Sequence, residues 1–260
     1  MLIGPQAKLR AGPFKGEQPS YPTTGAAFLA ATGITPTALY TCLDASGSLV
    51  DVVGGNNLTT VTGTPKFRQS VAGSVGISYD GASTTGHSGS SVNEPGTNSI
   101  LFGAIGVFGT VYAGTNPGIV GKISTTTTPN CFIYRAADTL NYVSMQIKGN
   151  PTGSLLLTDV GVNIVTPVRP VLVIGQIDRT NTTARLLVAD ADKLLTLQSG
   201  SISGFSTFTG GTAPQWAIAG GTGAVFKGGF QCSFSFYATG AQCEGTNTAL
   251  NVARRLGFAE

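Results

Sequence analysis

From Thr37 onward the chain is a succession of short β-type runs, each closed by a cluster of Gly, Asn, Asp, Ser or Pro. Strands need the runs and tight turns need the clusters, so this punctuation restricts the body of the chain to many antiparallel strands. Several runs show the period of two that sends alternate side chains to opposite faces of a sheet. Val75, Ile77 and Tyr79 alternate with small or polar residues before the Asp80-Gly81 turn. Val143, Met145 and Ile147 alternate with Tyr142, Ser144, Gln146 and Lys148, which predicts one buried and one wetter face. Val171, Val173 and Ile177 repeat the pattern with Gly175 inside the run. The runs 185–188 and 194–197 flank Ala189 to Lys193 as the arms of a hairpin, and residues 226–237 form a long aromatic-rich strand region. The expected class is all-β, an antiparallel two-sheet jelly-roll sandwich.

Both ends depart from this pattern. Residues 1–24 hold Pro5, Pro13, Pro19 and Pro22, which deny helix and ladder hydrogen bonds, and Lys8, Arg10 and Lys15 make the segment basic. An extended N-terminal arm is expected there, with residues 25–260 forming a single β-sandwich domain. Lys8, Arg10, Pro13, Phe14, Lys15 and Tyr21 are its candidate partner-binding residues. Gly25 to Ala31 reads as a helical turn or two stopped by Gly33 and Pro36. At the C-terminus, Thr246 is the expected cap of a short helix. Ala249, Leu250, Val252, Ala253 and Leu256 supply its apolar stripe, Arg254 and Arg255 suit its last turn, and Gly257 suits a left-handed exit.

Composition narrows the function classes. Only 10% of the 260 residues are charged, 41% are hydrophobic, 37 are Gly, and the formal net charge is +3. Such a chain is neither a charged disordered tail nor a coiled coil. No Lys/Arg block exceeds Arg254-Arg255, so no nucleic-acid footprint is visible. The apolar window 100–113 is too short to span a bilayer and is broken by glycines, so no membrane partner is expected. No secretory leader is readable at the N-terminus, which points to synthesis in the cytoplasm. Cys42, Cys131, Cys232 and Cys243 form no C-x-x-C pair, which argues against zinc. Cys232 and Cys243 are close enough in sequence to face each other across a hairpin, but free buried thiols fit a cytoplasmic chain better.

Taken in chain order, several of these segments resemble the laminin-G-like branch of the concanavalin-like lectin/glucanase sandwiches. Leu43-Asp44-Ala45-Ser46-Gly47 with Leu49-Val50-Asp51 resembles that family's first strand and Asp-rich turn. Gly76 to Gly81 is similar to its Gly-x-x-x-aromatic-Asp-Gly strand end, and residues 171–179 with 185–190 resemble its paired central strands. Residues 217–221 and 226–230, followed by the closing helix, complete a likeness over roughly residues 37–257. The resemblance implies a two-sheet sandwich and allows calcium, bound through loop carboxylates, as the one cofactor; Asp44, Asp51 and Asp80 are the matching candidates. It also implies sugar binding through an aromatic platform. Trp216 and Tyr142 are the leading glycan contacts, with Tyr112 and Tyr134 as further rings, although the Ala217-Ile218 context of Trp216 also reads as core.

Catalysis finds no support in the spacing. The glucanase members use Glu-x-Asp-x-x-Glu on one strand face, whereas Glu occurs here only at positions 17, 94, 244 and 260, none in that context. Asp190 and Asp192 read as turn residues, and His87, the one histidine, as an exposed residue of a Ser/Gly loop. Neither Gly121-Lys122 nor Gly220 to Gly223 has the context of a phosphate loop. The sequence therefore leads to a non-enzymatic structural or attachment protein. The expected setting is a bacteriophage virion, in capsid decoration or at the tail, where the arm fastens the sandwich to other virion or assembly proteins as a homo-oligomer or lattice-bound subunit. The alternative is a carbohydrate-binding lectin-like module, with or without calcium.

Overall fold

The computed structural model describes residues 21–79, 85–89, 97–108, 118–123, 129–135, 142–149, 153–159, 161–165, 168–205, 215–219 and 229–260. Most of the 1–24 arm, including Lys8, Arg10, Pro13, Phe14 and Lys15, lies outside them, as do Asp80 and Tyr112.

Two antiparallel sheets pack face to face. The first contains β1 (Ala38–Tyr40), β3 (Lys66–Val71), β4 (Ser74–Ser78), β6 (Ile100–Phe108), β11 (Pro170–Asp178), β12 (Thr183–Asp190), β13 (Leu195–Ser201) and β15 (Phe230–Thr239). Its order is β13-β12-β11-β6-β15-β4-β3, with β1 also pairing β15. The second contains β2 (Thr60–Thr62), β5 (Gly86–Gly89), β7 (Gly118–Ile123), β8 (Pro129–Arg135), β9 (Val143–Gly149), β10 (Gly153–Thr158) and β14 (Gln215–Ala219), in the order β10-β9-β8-β7-β14-β5-β2. The expected all-β sandwich is the observed one. The 185–188 and 194–197 arms pair as β12 and β13, with Ala189 opposite Leu195. Asp190 shapes their turn by accepting the Asp192 and Leu194 amides.

Helices form a third layer. Helix α1 (Gly25–Thr32) is capped by the Thr24 hydroxyl, which accepts the Ala27 amide, and ends at Gly33 with φ 77°. Helix α2 (Thr248–Leu256) ends at Gly257 with φ 95°, the left-handed exit expected there. Its N-cap is Asn247 rather than Thr246. The two helices cover the outer face of the first sheet, packing Phe28, Val252 and Leu256 on Leu172, Ile174 and Leu187. This third layer explains why β11 is buried along its whole length and why Leu172 and Ile174 interrupt the alternation expected of it: one face meets the second sheet and the other meets helices.

Strand β15 serves both cores through an irregularity. Its pairing with β6 shifts register between Cys232 and Phe234. An extra residue in a strand reverses which face the following side chains take. Phe230 and Cys232 therefore enter the inter-sheet core, while Phe234 and Phe236 enter the core beneath the helices. No helix among the described residues is long and apolar enough to cross a membrane.

Candidate functional site

Of the three expected calcium ligands, Asp80 lies outside the described residues and Asp51 has its carboxylate already engaged. Asp51 is buried, and its two carboxylate oxygens accept the amides of Leu39, Val53, Gly54 and Asn56 and the Asn56 side-chain N–H, at 2.9–3.1 Å. A carboxylate so occupied organises a loop rather than holding a cation. The same loop is closed by the Asn57 Oδ1, which accepts the Asp51 amide, and by the Tyr40 hydroxyl, which donates to the Asn56 carbonyl. Asp44 instead acts electrostatically on Cys42 and His87. Among the described residues no group of three or more His, Cys, Asp or Glu side chains is placed to hold a metal.

His87 is not an exposed loop residue. It sits on β5 and is fully buried, between β2 and β14. Its Nδ1 lies 2.9 Å from the Tyr79 hydroxyl and its Nε2 2.8 Å from the Gly47 carbonyl. A carbonyl only accepts, so Nε2 carries the proton and Nδ1 accepts from Tyr79. Burial pulls the imidazole below its ordinary pKa, against the opposing influence of Gly47 and Asp44. The ring is a neutral strut with both nitrogens occupied, which leaves it no free nitrogen for base chemistry.

Trp216 is likewise corrected as a glycan contact. It is 0% exposed. Its ring lies edge-on to Phe102 at 5.7 Å and tilted against Tyr237 at 4.7 Å. Trp216 belongs to the second sheet and both partners to the first, so the indole ties the layers together.

Tyr142 has a different position. It immediately precedes β9 and is half-buried. Strand alternation puts it on the face of Ser144, Gln146 and Lys148, opposite the core residues Val143, Met145 and Ile147. Cross-strand register extends this outer face. Tyr134 lies opposite Ser144, and Phe132 opposite Gln146. On the other side Ser144 lies opposite Thr158, Gln146 opposite Leu156, and Lys148 opposite Ser154. The Ser144 and Thr158 hydroxyls share a hydrogen bond at 3.0 Å. Exposure rises toward the edge strand, where Leu156 is 54% exposed. On the other flank Phe132 covers Gly118 and Gly121, where a Cβ would approach its ring to 2.8 and 2.9 Å. The face thus grades from the buried Phe132, Tyr134 and Ser144, through the half-buried Gln146, Lys148 and Thr158, to the exposed Ser154 and Leu156. Its polar half was visible in the alternation of 142–148. The contribution of Phe132 and Tyr134 depends on a strand pairing that no local pattern announces.

No protein-family model matches the chain, and no curated protein matches it in sequence. Solved structures do match in shape. The receptor binding domain of botulinum neurotoxin D aligns at 11% identity with a TM-score of 0.55, over 84% of this chain and 52% of that one. The fold is concanavalin-like. An arabinofuranosidase complexed with arabinofuranosyl-α-1,2-xylobiose matches at 11% identity and a TM-score of 0.54, over 91% of this chain and 65% of that one. The enzymatically active domain of tailspike protein 2 of bacteriophage CBA120 matches at 12% identity and a TM-score of 0.51, over 77% of this chain and 30% of that one. The concanavalin-like sandwich is thus embedded in longer chains in all three.

Proposed function

We propose that this protein is a carbohydrate-binding module whose site is the outer face of the second sheet around β8, β9 and β10. The observation that carries this reading is the graded face itself. Tyr134 and Tyr142 flank Ser144 and Gln146, and Lys148 follows on the same strand. Sugars present apolar C–H faces that lie against aromatic rings and hydroxyls that need amide and hydroxyl partners. Further support comes from the fold, which the sugar-complexed arabinofuranosidase and a toxin's receptor binding domain share. Hydrolysis is not part of the proposal: glycosidases use a carboxylate pair, and the described outer-face residues of β8, β9 and β10 include none. A glycan array run with and without chelator is expected to show saturable binding to at least one glycan class, retained in chelator. Silence across the array would contradict the proposal.

A second reading, as an attachment or decoration component of a virion, draws on the fold shared with the phage tailspike domain and on the Pro-rich basic segment 1–24. The two readings are compatible, since a virion component can hold a glycan. Tyr21 of the expected arm packs on Phe234 and Thr24 caps α1, so the deletion that tests the arm is residues 1–20, which is expected to abolish incorporation into particles while the sandwich keeps its melting temperature. Undiminished incorporation would rule out the arm as fastener.

A further inference from the structure

Cys42 and Cys232 are 190 positions apart in sequence, yet their Sγ atoms lie 3.5 Å apart. Both are fully buried in the inter-sheet core. A disulfide is about 2.05 Å long, so the remaining gap of about 1.5 Å is within reach of side-chain rotation. Each cysteine sits at a backbone irregularity. Cys42 holds φ 53°, a left-handed conformation that residues other than Gly seldom take. Cys232 stands at the register shift in β15. The other two thiols are elsewhere. Cys131 lies on β8 opposite Lys122 and Ile147, and Cys243 packs in the core beneath the helices. All four thiols are free and buried, as favoured from the sequence, and the residue facing Cys232 is Cys42 rather than Cys243, which sequence proximity also allows.

We propose that Cys42 and Cys232 are a redox-dependent modification site, a pair that closes into a disulfide when the chain folds in oxidising surroundings and stays dithiol in reducing ones. The co-reactant is a low-molecular-weight disulfide. One cysteine, as thiolate, attacks a sulfur of that disulfide; its S–S bond breaks and one thiolate leaves with the electron pair. The second cysteine then attacks the protein sulfur of the mixed disulfide and expels the other thiolate. The protein pair is oxidised by two electrons, the small disulfide is reduced to two thiols, and the two cysteine protons end on the released thiolates. Contact with Cys232 and burial both push the Cys42 thiol above its ordinary pKa, so the finished fold resists attack. The bond is therefore set while the core is still assembling. It would fasten the loop that follows β1 to the long strand β15.

The test is to refold the full chain in a buffer of reduced and oxidised glutathione, quench with acid, alkylate and map the peptides. The expected product links the Cys42 and Cys232 peptides, with Cys131 and Cys243 alkylated. The same mapping on protein produced in an oxidising compartment requires no refolding. Because the bond closes a very long loop, the oxidised form should melt roughly 10 °C above the reduced form. Cys42→Ser should abolish both the linked peptide and the added thermal stability, while a Cys131→Ser/Cys243→Ser double variant should retain both. Four alkylatable thiols in folded, oxidised protein would overturn the proposal, as would a link made through Cys131 or Cys243.

Discussion

Replacing Trp216 with Ala is expected to lower the stability of the protein by about 3–5 kcal/mol. The indole is fully enclosed, and its neighbours Phe102 and Tyr237 come from the opposite sheet. Truncation removes its transfer free energy and leaves a hole that two sheets fixed by their own hydrogen bonds cannot fill by collapse. For a chain of this size the loss corresponds to a fall in melting temperature of roughly 10 °C. Urea unfolding followed by circular dichroism measures it. The result also separates two roles for the residue. An indole serving as a surface sugar platform would give unchanged stability with lost binding, whereas a core indole gives lost stability.

Asp51→Ala is the second large effect. The buried carboxylate accepts from four backbone amides and one side-chain amide. Its removal leaves these donors facing a vacated space, and buried donors without partners cost about 1–3 kcal/mol each unless water reaches them. Access of water through the 52–57 loop, which is exposed at residues 52–55, reduces the total, so a loss of about 3 kcal/mol is expected. Asp51→Asn keeps the shape and one acceptor oxygen, and should lose less. A chelator should leave wild-type stability unchanged, because the carboxylate already has its partners. A melting temperature that falls on chelation, or an Asp51→Ala variant as stable as wild type, would contradict this assignment.

The elements that announced themselves did so through periodicity. The 143–148 alternation, the hairpin around Asp190 and the glycine stops after α1 and α2 are local patterns, and local physics sets each of them. β5 shows the opposite case. Gly86-His87-Ser88-Gly89 has the composition of a turn, yet it is a strand buried between β2 and β14. Its small residues are required by crowding: a Cβ at Gly89 would come within 2.7 Å of the Asn57 carbonyl oxygen. Propensity is weak evidence for a strand when tertiary packing demands small residues. The meeting of Cys42 with Cys232 was hidden for a related reason, since spacing along a chain says nothing about contacts between distant strands.

For the candidate site, the Tyr142 to Lys148 face was legible because one strand encodes it. The role of Asp51 was legible only as a type. An Asp in a Gly/Asn-rich loop fits both a calcium ligand and a loop organiser, and only the positions of the surrounding amides decide between them. Trp216 carried the same ambiguity between core and platform until the opposite sheet was in place.

The central claim is that the outer face of β8, β9 and β10 binds sugar. Calorimetric titration of the array-selected glycan into Tyr142→Ala and Gln146→Ala tests it most directly. Loss of a ring face or an amide contact is worth about 1–2 kcal/mol, a drop of roughly tenfold in affinity. Each variant is expected to show that drop with a melting temperature close to that of the wild type. Wild-type affinity in both variants would contradict the claim.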